Sequence, residues 1–313
     1  MVAERLVEAL DAGGSRVEHD GLAFTHLDRV MWPESGYTKR DMVRYYARVA
    51  RVMVPYLADR ALMLKRYSEG IGSDPVVQQR VSGRVPAVVE TAVLPLALGG
   101  RARRFVGSLE TILYAAQLDA VELHAWHSRL ETLDRPDWVV LDLDPGRGVG
   151  FARVVEVARL LRDILDDLGV GPVVKTSGSR GLHVYVPAGA RVDYAAAARF
   201  ARLVAERAAS EAPRLATVER TVSERGPRVY VDHLQNARGK LAVAPYSLRA
   251  RPGAPVSMPL HWEELDGLRS ARAFTLADVP ARLEAEGDAW RGVLRRRGSV
   301  ARALLRLEKE RGG

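Results

Sequence analysis

The segment Trp138–Pro145, with the sequence WVVLDLDP, constrains the fold more than any other part of the chain. Its first four residues are apolar and predict a buried β-strand. Side chains alternate along a strand, so Asp142 and Asp144 share one face while Leu141 and Leu143 point into the core. Two such carboxylates repel each other by roughly 4 kcal/mol at an effective dielectric near 20. A hard cation with oxygen ligands, Mg²⁺ or Mn²⁺, would neutralise them.

A third acid strengthens this interpretation. An isolated Asp-x-Asp is more often one turn cap and one solvated acid than a metal site. However, Pro227–Asp232 (PRVYVD) is another short β-branched and aromatic run that ends in a carboxylate. Three carboxylates at the ends of neighbouring strands form the usual frame of a two-cation phosphoryl-transfer site. The sequence therefore predicts Asp142, Asp144 and Asp232 as metal ligands and catalytic residues.

Composition indicates a polyanionic partner. The 313 residues include 47 lysines and arginines against 39 acids, a net charge of +8. A charge of this sign favours nucleic acid, with a generally arginine-rich surface as the alternative. The chain has no cysteine, which excludes disulfides, zinc-thiolate sites and thiol nucleophiles and fits a cytoplasmic protein. The N-terminus lacks an apolar signal segment, and no stretch is long enough to span a membrane.

Short strands interleaved with helices indicate an α+β or mixed α/β architecture. Helical spacing predicts a helix from Lys39 to Val52 with Thr38 as its N-cap. Further helices are predicted over 109–117, 150–168, 194–210 and 291–311, and strands over 61–67, 75–81, 88–96, 121–124, 138–144, 173–176, 182–186, 229–232 and 241–244. Residues 1–20 are expected to be poorly structured, with a flexible join at Asp11–Ser15.

The segment Lys175–Tyr185 (KTSGSRGLHVY) predicts a hairpin with a phosphate-binding turn. Gly178 and Gly181 permit positive φ angles and close approach of the backbone. Successive amides, hydroxyls and a guanidinium form a nest for phosphate oxygens. A surface Gly/Ser turn is the alternative, but the position after the acidic strand and its helix favours a triphosphate pocket.

Two more segments carry polar groups of interest. The loop after Asp232 offers amides at Gln235 and Asn236, and phosphate-binding cations at Arg238, Lys240 and Arg249, although a solvated basic loop has the same composition. His124 is predicted to end a strand near the acidic sheet. A lone histidine is more often structural than catalytic, and Lys65 alone is equally weak evidence.

Together the acidic strand, the KTSGSRGLH hairpin and the loop with Gln-Asn, Gly-Lys and Ala-Pro-Tyr-Ser strongly resemble the polymerase domain of bacterial ligase D. That domain is a primase-polymerase of the archaeo-eukaryotic primase superfamily. The likeness extends from Gly21 to Pro259 and includes LDRVMWPE at 27–34 and GYTK at 36–39. Several independent motifs occur in the order of the family.

The resemblance implies an α+β primase-polymerase fold, with an RRM-like antiparallel catalytic sheet flanked by helices and a second small lobe. Residues 1–20 would be an N-terminal extension, 21–300 a two-lobed catalytic domain acting as one unit, and 301–313 the end of a C-terminal helix. The implied activity is template-dependent addition of DNA or RNA nucleotides to a primer 3′-hydroxyl by two Mn²⁺ or Mg²⁺ ions. It would fill gaps and process ends in non-homologous end joining of double-strand breaks.

Site residues carry over from the family position by position. The resemblance implies metal binding by Asp142, Asp144 and Asp232, and nucleotide contacts by Lys65, His124, Ser177, Arg180, His183, Gln235 and Arg249. Arg29 and Lys39 match two lysines that hold the 5′-phosphate of the downstream strand, and a guanidinium can keep this role. Implied partners are gapped or broken DNA, NTPs or dNTPs, Ku and a DNA ligase, and the implied location is the cytoplasmic nucleoid.

The chain departs from the family at Val76-Val77, where two phenylalanines usually stack on template bases. Valines cannot stack in this way, so weaker template ordering is expected. No ligase or nuclease region follows residue 313, which predicts a stand-alone polymerase module or an excised domain. Two alternatives share the same residues: a DNA-end-binding module without catalysis, and a metal-dependent nuclease.

Overall fold

Two compact units, each assembled from separated stretches of the chain, make up this computed structural model. It describes residues 2–96, 99–296 and 299–312, and the side chains of all of these except residues 2, 3 and 312. Unit 1 comprises Met1–Trp126, Val243–Ser257 and Phe274–Asp288, and unit 2 comprises His127–Ala242, Met258–Ala273 and Ala289–Gly313. Helices and strands occur in both units, so the fold is a mixed α+β fold.

The helices and strands follow one another closely along the chain. The helices are α1 (Val2–Asp11), α2 (Lys39–Leu57), α3 (Leu109–Gln117), α4 (Phe151–Asp167), α5 (Tyr194–Glu211), α6 (Val279–Glu286) and α7 (Val300–Gly312). The strands are β1 (Arg16–His19), β2 (Leu22–Thr25), β3 (Val30–Trp32), β4 (Tyr37–Thr38), β5 (Leu62–Arg66), β6 (Val76–Gln78), β7 (Thr91–Pro95), β8 (Arg101–Phe105), β9 (Ala120–Trp126), β10 (Trp138–Pro145), β11 (Val173–Thr176), β12 (Leu182–Pro187), β13 (Ala216–Thr217), β14 (Val229–Asp232), β15 (Leu241–Val243) and β16 (Pro259–Leu260). None of the described helices is long and apolar enough to span a membrane.

Helix α2 forms much of the core of unit 1. It begins where the sequence predicts because Thr38 and Asp41 form a capping box, in which each side chain accepts the backbone N–H of the other. It continues to Leu57, past the predicted end at Val52. Its apolar face is fully buried along its length.

The expectation that residues 1–20 are poorly structured is wrong. Helix α1 packs against α2, and β1 pairs antiparallel with β2. Leu6 and Leu10 lie one turn apart on α1, and both are fully buried. Burial of this narrow apolar stripe stabilises a helix too short to be stable alone.

The sheet of unit 1 that matters for the site contains β5, β6 and β9. Strand β5 pairs antiparallel with β9 on one side and with β6 on the other. This register places Lys65 of β5 opposite Glu122 of β9 and opposite Val77 of β6. Strand β6 is therefore an edge strand, and the side chains of Val76 and Val77 are exposed.

Unit 2 is built on a six-stranded sheet with the order β13-β14-β10-β12-β11-β16. All neighbouring strands are antiparallel except β13 and β14. Helices α4 and α5 pack against β10, which lies inside the sheet. The bounds predicted for four strands and two helices of this unit are confirmed to within one residue. These elements are β10, β11, β12, β14, α4 and α5.

The helix predicted over 291–311 is wrong in its first part. A short 3₁₀ turn occupies Val293–Arg295, and α7 starts only at Val300. Gly292 has a φ of 80°, a left-handed conformation that a continuous α-helix does not permit. Residues 297–298 of the predicted helix lie outside the described residues. Helix α7 packs against α5 through a buried stripe that includes Ala303 and Leu307.

Candidate active site

Three carboxylates project from one face of the unit 2 sheet. Asp142 of β10 lies directly opposite Asp232 of β14, and Asp144 lies opposite Tyr230. Residues two apart on a strand, and residues opposite each other on paired strands, point to the same side of a sheet. The leucine between the two acids of β10 is fully buried on the other side. This is the arrangement that the sequence predicts.

The carboxylate of Asp232 is held by its own loop. One oxygen accepts hydrogen bonds from the Leu234 amide at 2.8 Å and from the Tyr230 hydroxyl at 3.2 Å. The other accepts a hydrogen bond from Nε2 of Gln235 at 2.8 Å. Gln235, a predicted nucleotide contact, therefore lies directly beside a predicted metal ligand. These contacts fix the direction in which Asp232 points.

Asp142 lies at the end of a chain of polar contacts. His183 of β12 is opposite Asp142, with Nε2 at 3.3 Å from Oδ1 of the carboxylate. Nδ1 of His183 is 2.8 Å from Nζ of Lys175, which is fully buried. An ammonium group can only donate hydrogen bonds, which assigns the imidazole proton to Nε2. His183 therefore presents an N–H to Asp142.

Electrostatics at the acidic face suit a divalent cation. Burial raises the pKa of Asp144, and Asp142 and Asp232 raise it further, while Arg225 and Arg180 oppose them. Bound cations relieve such repulsion, and oxygen-only ligands suit Mg²⁺ or Mn²⁺. As the side chains stand, no three acids or histidines among the described residues are close enough to hold a metal ion. The types of these acids and the face that they share fit such a cation.

The turn after β11 depends on both of its predicted glycines, each for a different reason. Gly178 has a φ of 63°. At Gly181 a Cβ atom would lie only 1.8 Å from the Leu143 carbonyl oxygen, so a larger residue cannot approach β10 this closely. Oγ of Ser177 accepts hydrogen bonds from the amides of Ser179 and Gly181, each at 3.1 Å. The turn is thus rigid and lies beside the acidic strand.

An arginine-lined cleft begins where the acidic strand ends. It has a volume of about 630 Å³, and Arg147, Arg180 and Arg272 contribute to its walls. Arg180 donates to the Pro145 carbonyl at 2.9 Å, and Arg272 donates to the Ser179 carbonyl at 3.0 Å. None of the described residues that line the cleft is acidic. We call this feature the arginine cleft.

Asn236 has a structural role. Its side-chain oxygen accepts a hydrogen bond from the Val140 amide at 2.8 Å, and its Nδ2 donates to the Val140 carbonyl at 2.7 Å. This buried amide fastens the loop after Asp232 to β10. The Asn236 side-chain amide, which the sequence suggested as a ligand contact, instead binds the backbone of β10.

Three predicted nucleotide contacts meet in unit 1. His124, Lys65 and Arg249 all lie beside the carboxylate of Glu122, at distances of 3.0, 3.5 and 3.3 Å. Burial lowers the pKa of His124, although the hydrogen bond to Glu122 opposes this. His124 belongs to β9, in a different sheet from the acidic strands β10 and β14. The sheet to which a strand belongs is decided by its pairing with distant segments, and the local sequence of the strand does not predict that pairing.

The two predicted 5′-phosphate contacts also meet on one acid. Asp119 lies 2.8 Å from Nζ of Lys39 and 2.9 Å from Nη1 of Arg29. The Lys39 side chain is only 2% exposed and also donates to the Gln117 carbonyl at 2.5 Å. Burial lowers the pKa of Lys39, and Asp119 opposes this shift. The Arg29 side chain is 29% exposed, so it is the more accessible of the two cations.

Sequence reasoning missed Asp119, Glu122 and Arg225 as partners of the predicted site. Arg225 is buried, lies over the Tyr230 ring at 4.3 Å, and approaches Asp144 to 3.8 Å. Each of these residues binds a predicted functional residue from another segment. An acid directly before the Leu-His pair of β9 was the only available signal for Glu122.

Comparison with known proteins identifies the family. A family model described as the LigD primase-polymerase domain matches residues 38–290. The chain is 33% identical over 305 residues to the multifunctional non-homologous end joining protein LigD of Pseudomonas aeruginosa, covering 94% of this chain and 35% of that protein. It is 30% identical to the bifunctional LigD of Bacillus subtilis, covering 87% of this chain and 44% of that protein. The chain thus spans less than half the length of these curated relatives.

A solved structure agrees with this result. The polymerase domain of Mycobacterium tuberculosis ligase D, in complex with DNA, matches with a TM-score of 0.81 and 32% identity, over 90% of this chain and 99% of that one. Fold and family together define the class as a primase-polymerase domain. Within that class, the chain belongs to the LigD primase-polymerase domain family. The resemblance seen in the sequence is confirmed.

Proposed function

We propose that this protein is a template-dependent nucleotidyltransferase that adds nucleotides to a primer 3′-hydroxyl. Family membership supports a polymerase activity. The observation that carries the proposal is the face shared by Asp142, Asp144 and Asp232 on two paired strands. Three carboxylates on one rigid sheet are suited to phosphoryl transfer, which depends mainly on positioning and on neutralising charge.

In this proposal Asp142, Asp144 and Asp232 hold two divalent cations, Mn²⁺ or Mg²⁺. When bound, such ions lower the pKa of the attacking hydroxyl and neutralise the triphosphate. His183 orients Asp142 through its Nε2–H. Gln235 orients Asp232.

The incoming nucleotide is proposed to contact two sets of residues. In unit 2 these are Ser177, Arg180, His183 and Gln235, and in unit 1 they are Lys65, His124 and Arg249. The rigid turn at Ser177 supports phosphate binding by backbone and side-chain donors. The cluster around Glu122 supports binding of a triphosphate, because it gathers the basic side chains of Lys65 and Arg249.

The 5′-phosphate of the downstream strand is proposed to bind at Arg29 and Lys39. The two residues would contribute differently. Arg29 is accessible and offers a guanidinium to the phosphate, while buried Lys39 holds Asp119 and thereby the Arg29 side chain. A phosphate contact through arginine is consistent with the bidentate geometry that guanidinium groups favour.

The biological setting that fits these residues is gap filling and end processing in non-homologous end joining. The names of the relatives support this setting. Since the chain spans only part of those relatives, cooperation with Ku and a DNA ligase belongs to the proposal as well. We further propose that the unit 2 sheet is the RRM-like catalytic sheet of the archaeo-eukaryotic primase fold, and that residues 21–300 act as one catalytic domain.

Primer extension on a gapped, 5′-phosphorylated duplex tests the proposed function. With Mn²⁺ and NTPs or dNTPs, we expect a labelled primer to gain the nucleotides that the template specifies. Salt-dependent DNA binding without any incorporation would instead support a non-catalytic end-binding module. Loss of the labelled 3′-end would indicate a nuclease. Comparing NTPs with dNTPs on gapped and overhanging substrates defines the sugar preference.

The arginine cleft predicts part of the salt dependence of DNA binding. If Arg147 and Arg272 contact DNA phosphates, the double variant Arg147→Ala with Arg272→Ala loses two contacts. The slope of log Kobs against log salt should then become shallower by about 1.8, because the counterions of two phosphates are no longer released. Fluorescence anisotropy at salt concentrations from about 50 mM to about 200 mM measures this slope. Arg191→Ala removes an exposed arginine of unit 2 outside the cleft and should leave the slope unchanged.

A further inference from the structure

Glu122 is a buried acid at the centre of a basic cluster in unit 1. Glu122 is only 3% exposed to solvent. Oε2 lies 3.0 Å from Nε2 of His124 and 3.5 Å from Nζ of Lys65. Oε1 lies 3.3 Å from Nε of Arg249 and accepts the Ala250 amide at 3.3 Å. Both carboxylate oxygens are therefore engaged by basic groups.

Glu122 connects three separate segments of unit 1. Lys65 comes from β5, His124 from β9, and Arg249 from the loop after β15. The register between β5 and β9 places Lys65 opposite Glu122. The loop with Arg249 reaches β9 through the bond from Ala250 to Glu122.

The charge of Glu122 is stable because its neighbours outweigh its burial. Burial raises the pKa of Glu122, but the hydrogen bond from His124 and the charges of Arg249 and Lys65 lower it more, so the pKa lies well below its usual range. Glu122 is thus ionised at neutral pH. Two like-charged side chains repel each other, and a fixed anion between them allows both to stay in one place.

We propose that Glu122 is the positioning residue of the nucleotide site, holding Lys65, His124 and Arg249 in the orientation that receives the triphosphate. This inference rests on the proposed function. Glu122 acts through its three partners and does not itself contact the nucleotide. Preorganised cations bind a polyphosphate better than mobile ones, because less side-chain freedom is lost on binding.

Two effects of removing the acid have opposite signs, and this makes the inference testable. Loss of a negative charge would by itself attract a triphosphate more strongly and lower its KM. Loss of positioning would raise the KM. Since Glu122 is buried and contacts its partners directly, we expect the loss of positioning to prevail.

Glu122→Gln and Glu122→Asp separate charge from position. Glutamine keeps the size without the charge, while aspartate keeps the charge but withdraws it by about 1.5 Å. Both variants should raise the KM for the nucleotide about tenfold in primer extension, with a smaller change in kcat. An unchanged or lowered KM in Glu122→Asp would overturn the inference. Glu122→Asp also remains informative if Glu122→Gln fails to fold.

A double-mutant cycle tests whether Glu122 acts through its partners. In an Arg249→Gln background, Glu122→Gln should change the KM by clearly less than in the wild type, since part of its target is already absent. Additive effects would contradict the inference. Asp41→Asn serves as the matched control: this acid of unit 1 pairs with Arg44 and caps α2, so its loss should lower the melting temperature without raising the KM.

A readout without catalysis separates this inference from the proposed function. The hydrogen bond to Glu122 places the ring proton of His124 on Nε2. In the nitrogen NMR spectrum of the protein without nucleotide, Glu122→Gln should shift the imidazole signals of His124. If wild-type protein extends no primer but this shift occurs, the proposed function is wrong, while the contact between Glu122 and His124 is confirmed. If extension occurs and the signals do not move, the positioning role fails.

Discussion

Replacing Asp142 with alanine is expected to reduce primer extension by roughly 10³-fold or more, because a two-cation site loses one of its ligands. Asp142 lies opposite Asp232 on the paired strand. Without the Asp142 carboxylate, only Asp144 and Asp232 remain to hold the two cations. Single-nucleotide incorporation into a gapped duplex, with either Mn²⁺ or Mg²⁺, measures the effect. DNA binding should persist, since the acid itself repels phosphate.

A control distinguishes this result from a general loss of acidic charge. Asp163→Ala removes an exposed acid on α4 in the same unit. We expect that variant to extend the primer at the wild-type rate. Undiminished incorporation by Asp142→Ala, in protein with a normal melting temperature, would disprove the assignment of the acidic face as the catalytic site.

Replacing Lys39 with methionine is expected to lower the free energy of unfolding by about 3 kcal/mol, because it removes one partner of a buried ion pair. The ammonium group lies 2.8 Å from Asp119 and 2.5 Å from the Gln117 carbonyl. Methionine fills a similar volume but leaves both oxygens without this donor. Urea denaturation monitored by circular dichroism measures the change.

Two further variants make the Lys39 prediction specific. Lys309→Met removes an exposed lysine from α7 and should change stability by less than about 0.5 kcal/mol. Combining Lys39→Met with Asp119→Asn removes the carboxylate charge that has lost its buried partner and should recover part of the lost stability. If Lys39→Met were as stable as wild type, the contact between Lys39 and Asp119 would not be a structural ion pair.

Local signals predicted most of the fold. Thr38 placed the start of α2 because a capping residue acts on its own helix, and the alternation in WVVLDLDP placed Asp142 and Asp144 on one face for a similar reason. Helix α1 was missed because its stability comes from packing Leu6 and Leu10 against the rest of unit 1. The intrinsic helix propensity of a ten-residue segment is too weak to predict the helix without that packing.

The candidate site was predictable where its residues share a strand or a turn. The acidic face and the turn at Ser177 are of this kind. The partners Glu122 and Asp119 were not predictable, because each meets cations from segments far away in the chain. An acid in such a place looks the same in sequence as a solvated one. Only the tertiary pairing reveals which basic residues it holds.

The interleaved composition of the two units has a consequence for synthesis of the protein. The chain passes from one unit to the other five times, the last time after Asp288. A nascent chain leaving the ribosome therefore cannot finish unit 1 until Asp288 has emerged, by which point most of unit 2 has also been made. Neither unit corresponds to a single continuous fragment, and the shortest continuous fragment that contains all of unit 1 runs from residue 1 to residue 288 and includes most of unit 2.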